Sequence, residues 1–144
     1  MPTCHSWLGP DRPKLETLIK ELGLEADVEL LGHRQNPYAF MARSAVFTLS
    51  SSWEGFGNVL VEAMALGIPI VSTNCESGPF EILAGGKYGH LTPVGNSKAM
   101  ADAILKVLSG DQKPIDPEWL RQFNVEISVQ NYLRIFDIKP FPPK

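Results

Sequence analysis

Two carboxylates stand eight positions apart in the middle of this chain: Glu54 in a glycine-broken loop, and Glu62 within the apolar run that follows. The stretch from Ser50 to Thr73, SSSWEGFGNVLVEAMALGIPIVST, reads as strand end, loop, helix and second strand. Phe56 lies between Gly55 and Gly57, and glycines there permit φ > 0 and let a ligand approach the backbone. A helix opening near Gly57 or Asn58 presents unpaired N–H groups and a partial positive charge, which suits phosphate. One short segment thus offers an anion site beside two acceptors for hydroxyls. The same residues serve equally well as a plain turn, with Glu54 solvated and Glu62 paired with a neighbouring base.

The helix that would carry Glu62 stops at Gly67, with Pro69 as a second stop. At about 100° per residue, Val59, Leu60, Val61, Ala63, Met64 and Leu66 cover most of its circumference, so it is expected to be buried on nearly every side. Asn58 and Glu62 form the one polar stripe, an i, i+4 pair. A carboxylate on such a helix must reach water, a partner or a ligand, because an unpaired buried charge is very costly.

The elements around this centre follow from hydrophobic period and stop signals. Asp11 and Pro13 open an amphipathic helix with Leu15, Leu18, Ile19 and Leu22 on one face, ended by Gly23 and expected to lie on a sheet. Val28 to Leu31 reads as a strand, His33 to Asn36 as a polar loop, and Pro37 as the start of a short helix. Ala45 to Leu49 and Ile68 to Ser72 read as strands covered on both faces. Pro79 to Leu83 is expected to be a short helix, and Gly89 to Thr92 a last strand. A helix from Ser97 places Met100, Ile104, Val107 and Leu108 on one face. Residues 111–117 read as a linker. A terminal helix over Val125 to Phe136 follows, and the proline-rich tail is expected to be loose. Strands alternating with helices predict an α/β fold with a parallel sheet and right-handed crossovers. Ligands in such sheets bind at the βα loops beyond the strands' C-terminal ends. The segments 32–36, 50–58 and 73–79 all fall there.

Size and composition are those of one folded domain: 144 residues, 44% apolar and 20% charged. The net charge of −3 gives no basic footprint for nucleic acid. No apolar run approaches the ~20 residues of a membrane span, and the first residues do not read as a signal peptide. Cys4 and Cys75 are isolated and are expected to be reduced thiols in a cytoplasmic protein. Ser6, His5 and His90 have no acid or nucleophile at useful spacing, so a hydrolase triad is unsupported. No G-x-G-x-x-G follows an early strand, which disfavours a dehydrogenase.

The run Glu54 to Glu62, E-G-F-G-N-V-L-V-E, resembles the E-x7-E motif of the retaining glycosyltransferases of the GT4 family, the glycosyl transferases group 1. G-P-D-R-P-K-L, L-G-H-R, S-S-W-E-G-F-G, E-A-M-A-L-G-I-P-I-V-S-T and G-P-F-E-I-L occur in the family's order, over about Leu8 to Phe136. The resemblance implies the C-terminal, nucleotide-sugar-binding half of a GT-B fold, a Rossmann-like parallel sheet with flanking helices, over residues 1–138, with 139–144 as tail. It implies that Glu62 accepts hydrogen bonds from the ribose and that Glu54, the catalytic candidate, orients the donor sugar near the reacting carbon without acting as a nucleophile. It further implies that backbone N–H groups at Phe56, Gly57, Asn58 and Val59 meet the sugar or pyrophosphate, and that His33 and Arg34 lie where the base pocket forms. Glu81 is expected to support its loop and Trp53 to pack beside the site or stack on sugar.

On the same resemblance the substrate is a UDP- or GDP-sugar and no metal or other cofactor is required; no D-x-D pair occurs. The acceptor domain and the first βα unit, with the Arg and Lys that clamp the diphosphate, are not matched. The chain is therefore expected to bind a nucleotide sugar, to leave transfer to a separate acceptor-binding domain or chain, and to expose a sheet edge through which it could dimerise. A non-catalytic interaction module or dimer derived from such a domain is the competing expectation.

Overall fold

The computed structural model describes residues 10–137, so the expected loose tail and Cys4 lie outside the described residues. The chain divides into two compact units, residues 1–37 and 38–144.

The first unit contains α1 (Arg12–Glu21) and the turns after it. Asp11 stands at the N-cap, but its backbone is already helical (φ −88°, ψ 0°) and its carboxylate makes no cap bond. It accepts instead from Lys14 Nζ at 2.7 Å. The helix forms where the period predicts. The sheet expected beneath it does not belong to this unit, and Leu15, Leu18 and Leu22 are exposed. Val28 to Leu31 is not a strand, which corrects the sequence reading. Val28 N–H donates back to Leu24 O at 3.0 Å, closing a turn. The Leu30 carbonyl accepts from the Arg12 guanidinium at 3.2 Å rather than from a ladder. A four-residue apolar run becomes a strand only where a neighbouring strand takes its hydrogen bonds.

The second unit is built on three parallel strands in the order β1-β2-β3. They are β1 (Phe47–Leu49), β2 (Ile70–Thr73) and β3 (His90–Thr92). Phe47 is opposite Ile70, and Val71 is opposite His90. The helices are α2 (Tyr38–Met41), α3 (Asn58–Ala65) and α4 (Pro79–Ile82), then α5 (Ser97–Leu108), α6 (Pro117–Arg121) and α7 (Val125–Ile135). Central β2 is buried at every position, as a strand covered on both faces must be. Its side chains alternate between two cores. Ile70 packs with Leu60, Ala63, Met64, Ile82, Leu83 and Tyr88 on one face. Val71 packs with Ala103 and Val107 of α5 on the other. β1 departs from the expectation. It is an edge strand of this sheet, and Thr48 is exposed between half-buried Phe47 and Leu49.

The C-terminal stop of α3 falls as predicted. Gly67 (φ +71°) lies just past its end, with Gly67 N–H bonded to Met64 O at 3.0 Å and Ile68 N–H to Ala63 O at 3.1 Å. That pair of bonds is the Schellman arrangement, which satisfies carbonyls the helix leaves open. Burial is narrower than expected: Leu60, Ala63 and Met64 are buried, whereas Leu66 is exposed. On α5, Leu108 lies at the rim of the apolar stripe and is likewise exposed.

Asn96 caps α5, its side-chain oxygen accepting from Ala99 N–H at 2.9 Å. Asn96→Ala is expected to cost about 1 kcal/mol, read as a lower denaturation midpoint at unchanged slope. A loss under a few tenths would mean that water satisfies the first turn equally well. α6 begins at the last residue of the 111–117 segment and runs on to Arg121, where the sequence reading has no element. Asp116 is its cap, accepting from Glu118 N–H at 2.9 Å, and Pro117 occupies its first turn. That Asp-Pro pair was the available signal.

Candidate functional site

The βα loops after β1 and β2 meet beyond the sheet's C-terminal end, as the α/β rule requires. The 32–36 segment follows no strand and belongs to the first unit. His33 and Arg34 are exposed residues of that unit.

The loop after β1 is tied down by β2. Thr73 is buried, and its hydroxyl donates to Ser51 O at 2.6 Å. The Ser51 hydroxyl in turn donates to Glu54 Oε1 at 2.6 Å. Glu54 is half-buried, and its carboxylate is oriented through two hydroxyls anchored in the sheet. Neither Ser51 nor Thr73 stood out in the sequence, because a hydroxyl at a strand end is common and its partner is distant in the chain.

Gly57 is buried in the left-handed region (φ +91°, ψ +46°) at the N-cap of α3. It turns the loop into the helix and makes no side-chain cap. The first-turn amides of Asn58 and Val59 are therefore not taken by a capping side chain, which is the condition for offering them to an anion. Gly55 needs no such conformation, and a side chain there would meet open space.

Glu62 lies one turn further along the polar stripe and is half-buried. Its Oε1 accepts from the Tyr38 hydroxyl at 3.3 Å. Among the described residues no Lys, Arg or His pairs with Glu54 or Glu62. Both carboxylates keep acceptor capacity, since each ionised carboxylate has about four lone-pair positions. The plain-turn reading puts a base on Glu62, and among the described residues no salt bridge is formed there.

An open cleft of 490 Å³ borders the same loop, lined by Phe56, Asn58, Val61, Glu81, Phe123 and Ser128 among others. Glu81 is exposed in this cleft and forms no side-chain hydrogen bond or ion pair among the described residues. Its reading as a loop support is thereby corrected. Trp53 is 69% exposed, so it is not a packing residue. Among the described residues no three His, Cys, Asp or Glu side chains cluster as metal ligands. No helix of the described residues is long and apolar enough to cross a membrane.

A family profile described as glycosyl transferases group 1 matches residues 8–118, most of the chain and all of this loop. The chain belongs to that family. As a group 1 glycosyltransferase chain it is 41% identical to an uncharacterized glycosyltransferase of Methanocaldococcus jannaschii, over 72% of this chain and 32% of the relative. It is 30% identical to the lipopolysaccharide core biosynthesis glycosyltransferase LpsE of Rhizobium meliloti, over 97% of this chain and 44% of the relative. Among solved structures, Anabaena HepE in complex with UDP-glucose superposes with a TM-score of 0.77 at 30% identity, over 88% of this chain and 36% of HepE. The apo form of the lipopolysaccharide outer core galactosyltransferase WaaB superposes with a TM-score of 0.75 at 28% identity, over 90% of this chain and 38% of WaaB. The fold is thus the Rossmann-like α/β half of a GT-B glycosyltransferase. The chain spans about a third of the first relative's length.

Proposed function

We propose that this chain is the donor-binding part of a GT4-type retaining glycosyltransferase. It binds a nucleoside diphosphate sugar, and a hexose-type sugar passes to an acceptor held by another domain or chain. The observation that carries the reading is the pair Glu54 and Glu62, unpaired with any described cation on either side of an uncapped helix N-terminus. Glu62 accepts from the ribose hydroxyls, and the N–H groups at Phe56, Gly57, Asn58 and Val59 take the sugar or pyrophosphate. Glu54, fixed by Ser51, orients the sugar hydroxyls. The diphosphate gains charge as the glycosidic bond breaks, so donors fixed beside it stabilise the transition state more than the ground state. The HepE complex with UDP-glucose makes uridine the first base to try. The reading uses no carboxylate-held metal, in keeping with the absence of a D-x-D pair.

Calorimetric titration with UDP, GDP, ADP and their sugars tests this. Millimolar or tighter binding of one nucleotide is expected. Glu62→Ala removes charge-assisted hydrogen bonds worth about 1.5–3 kcal/mol, so affinity falls about tenfold to a hundredfold. Failure of every nucleotide to bind the intact chain defeats the reading. The competing reading, a non-catalytic dimer, draws on the exposed apolar side chains of α7, where Val125 is 73% and Ile135 is 76% exposed. A stable dimer in sedimentation without nucleotide affinity selects it.

A further inference from the structure

Phe56 is held from two directions, and neither hold lies within the E-x7-E stretch. From below, Gly78 of the β2–α4 loop packs so closely that a side-chain carbon there would stand 1.7 Å from the Phe56 carbonyl oxygen. From the side, the Phe123 ring meets the Phe56 ring edge-on, with centroids 6.0 Å apart and planes at 62°. Phe123 is itself backed by Trp119, at 6.3 Å and 80°. Trp119 is anchored to the core by its indole N–H on Ile82 O at 2.8 Å and by the Tyr88 ring at 5.4 Å. The chain of rings from Tyr88 through Trp119 and Phe123 to Phe56 therefore runs from the buried core to the loop. Trp119 and Phe123 lie beyond the residues that the family profile matches.

We infer that Phe123 is a positioning residue for the donor loop: its ring fixes Phe56, and through Phe56 the backbone amides of residues 55–58. The inference rests on the donor-binding reading for its functional consequence, but not for the mechanical one. An edge-on aromatic pair adds an orientation preference beyond the apolar area it buries. The glycines on either side of Phe56 leave the backbone little intrinsic preference, so the position of this loop is set by the contacts that the Phe56 ring and carbonyl make. An amide that is not held contributes less to binding, since ordering it then opposes the interaction.

The test is NMR relaxation of the backbone amides in the full chain, together with UDP titration, for wild type, Phe123→Ala and Phe123→Tyr. In wild type the amides of Gly55, Gly57 and Asn58 are expected near the rigid order parameter of ~0.85, and in Phe123→Ala below ~0.6. The β2 amides should stay unchanged, UDP affinity should fall about tenfold, and Phe123→Tyr, which keeps the ring, should restore both. If the loop amides are equally rigid in Phe123→Ala, or if the loop and β2 loosen together, the inference is overturned. If Phe123→Ala does not fold, Phe123→Leu, which keeps volume but not the ring, takes its place with the same expected readouts. If wild type binds no nucleotide, the donor-binding reading falls, and the order parameters still decide whether Phe123 holds the loop.

Discussion

Gly78→Ala is expected to lower stability by about 3 kcal/mol or more, and to abolish measurable nucleotide binding in whatever fraction remains folded. Two separate costs add. Gly78 sits at φ +84° and ψ −70°, and holding a residue with a side chain in such a sparsely populated region costs about 1–3 kcal/mol. The new methyl would also stand 1.7 Å from the Phe56 oxygen and 2.5 Å from its carbonyl carbon. Those are backbone atoms that cannot rotate away, so one of the two loops has to shift. The φ cost can be measured alone at Gly67, which has φ +71° and nothing within 4 Å of an added carbon. Gly67→Ala should therefore cost about 1–2 kcal/mol by the same conformational argument and leave binding intact. Chemical denaturation of both variants, with UDP titration of each, checks the pair. Equal losses for Gly67→Ala and Gly78→Ala, or unchanged affinity in Gly78→Ala, would show that the contact with Phe56 does not set the loop.

The parts legible in the sequence are those whose cause is local. The stop of α3 follows from Gly67, and the burial of β2 from four apolar or small residues in a row. The opening of α3 follows from a glycine that adopts a positive φ. Glu54 and Glu62 were legible as candidates because two acids on either side of an otherwise apolar run need a reason. The parts that were not legible depend on what lies across the chain. Val28 to Leu31 has the composition of a strand but no ladder, and composition does not supply a neighbour. Trp53 has the composition of a packing residue but is exposed. The hydroxyl relay from Thr73 through Ser51 to Glu54 joins ordinary residues whose role exists only once β1 and β2 are paired. The same is true of Gly78. It lies in the 73–79 loop segment that the sequence marks, but the reason for a glycine there, the Phe56 carbonyl, belongs to a different loop. The donor loop is thus specified by its own sequence in its conformation and by distant residues in its position.

One of the distant residues that hold the loop, Phe123, is backed by Trp119, and replacing Trp119 should have the second largest effect. Trp119→Ala is expected to cost about 3 kcal/mol. Removing a buried aromatic side chain costs about 3–5 kcal/mol, and Trp119, being half-buried, belongs at the low end. Part of that cost is the indole donor lost to the Ile82 carbonyl at the last turn of α4, an internal hydrogen bond contributing about 0.5–1.5 kcal/mol. Trp119→Phe separates these contributions. It keeps a ring between Tyr88 and Phe123 while deleting the N–H, so it should lose only about 1 kcal/mol, the hydrogen-bond share. The two variants should also differ in function. Trp119→Ala removes the backing of Phe123 and should loosen the loop amides as Phe123→Ala does, whereas Trp119→Phe should leave them rigid. Denaturation midpoints and amide order parameters of the two proteins are the measurement. Should Trp119→Ala destabilise the chain while residues 55–58 stay rigid, the ring sequence would be ordinary core packing that stops at Phe123. Should both properties change together and recover together in Trp119→Phe, the segment beyond the family's matched residues would be the element that holds the loop in register with the sheet.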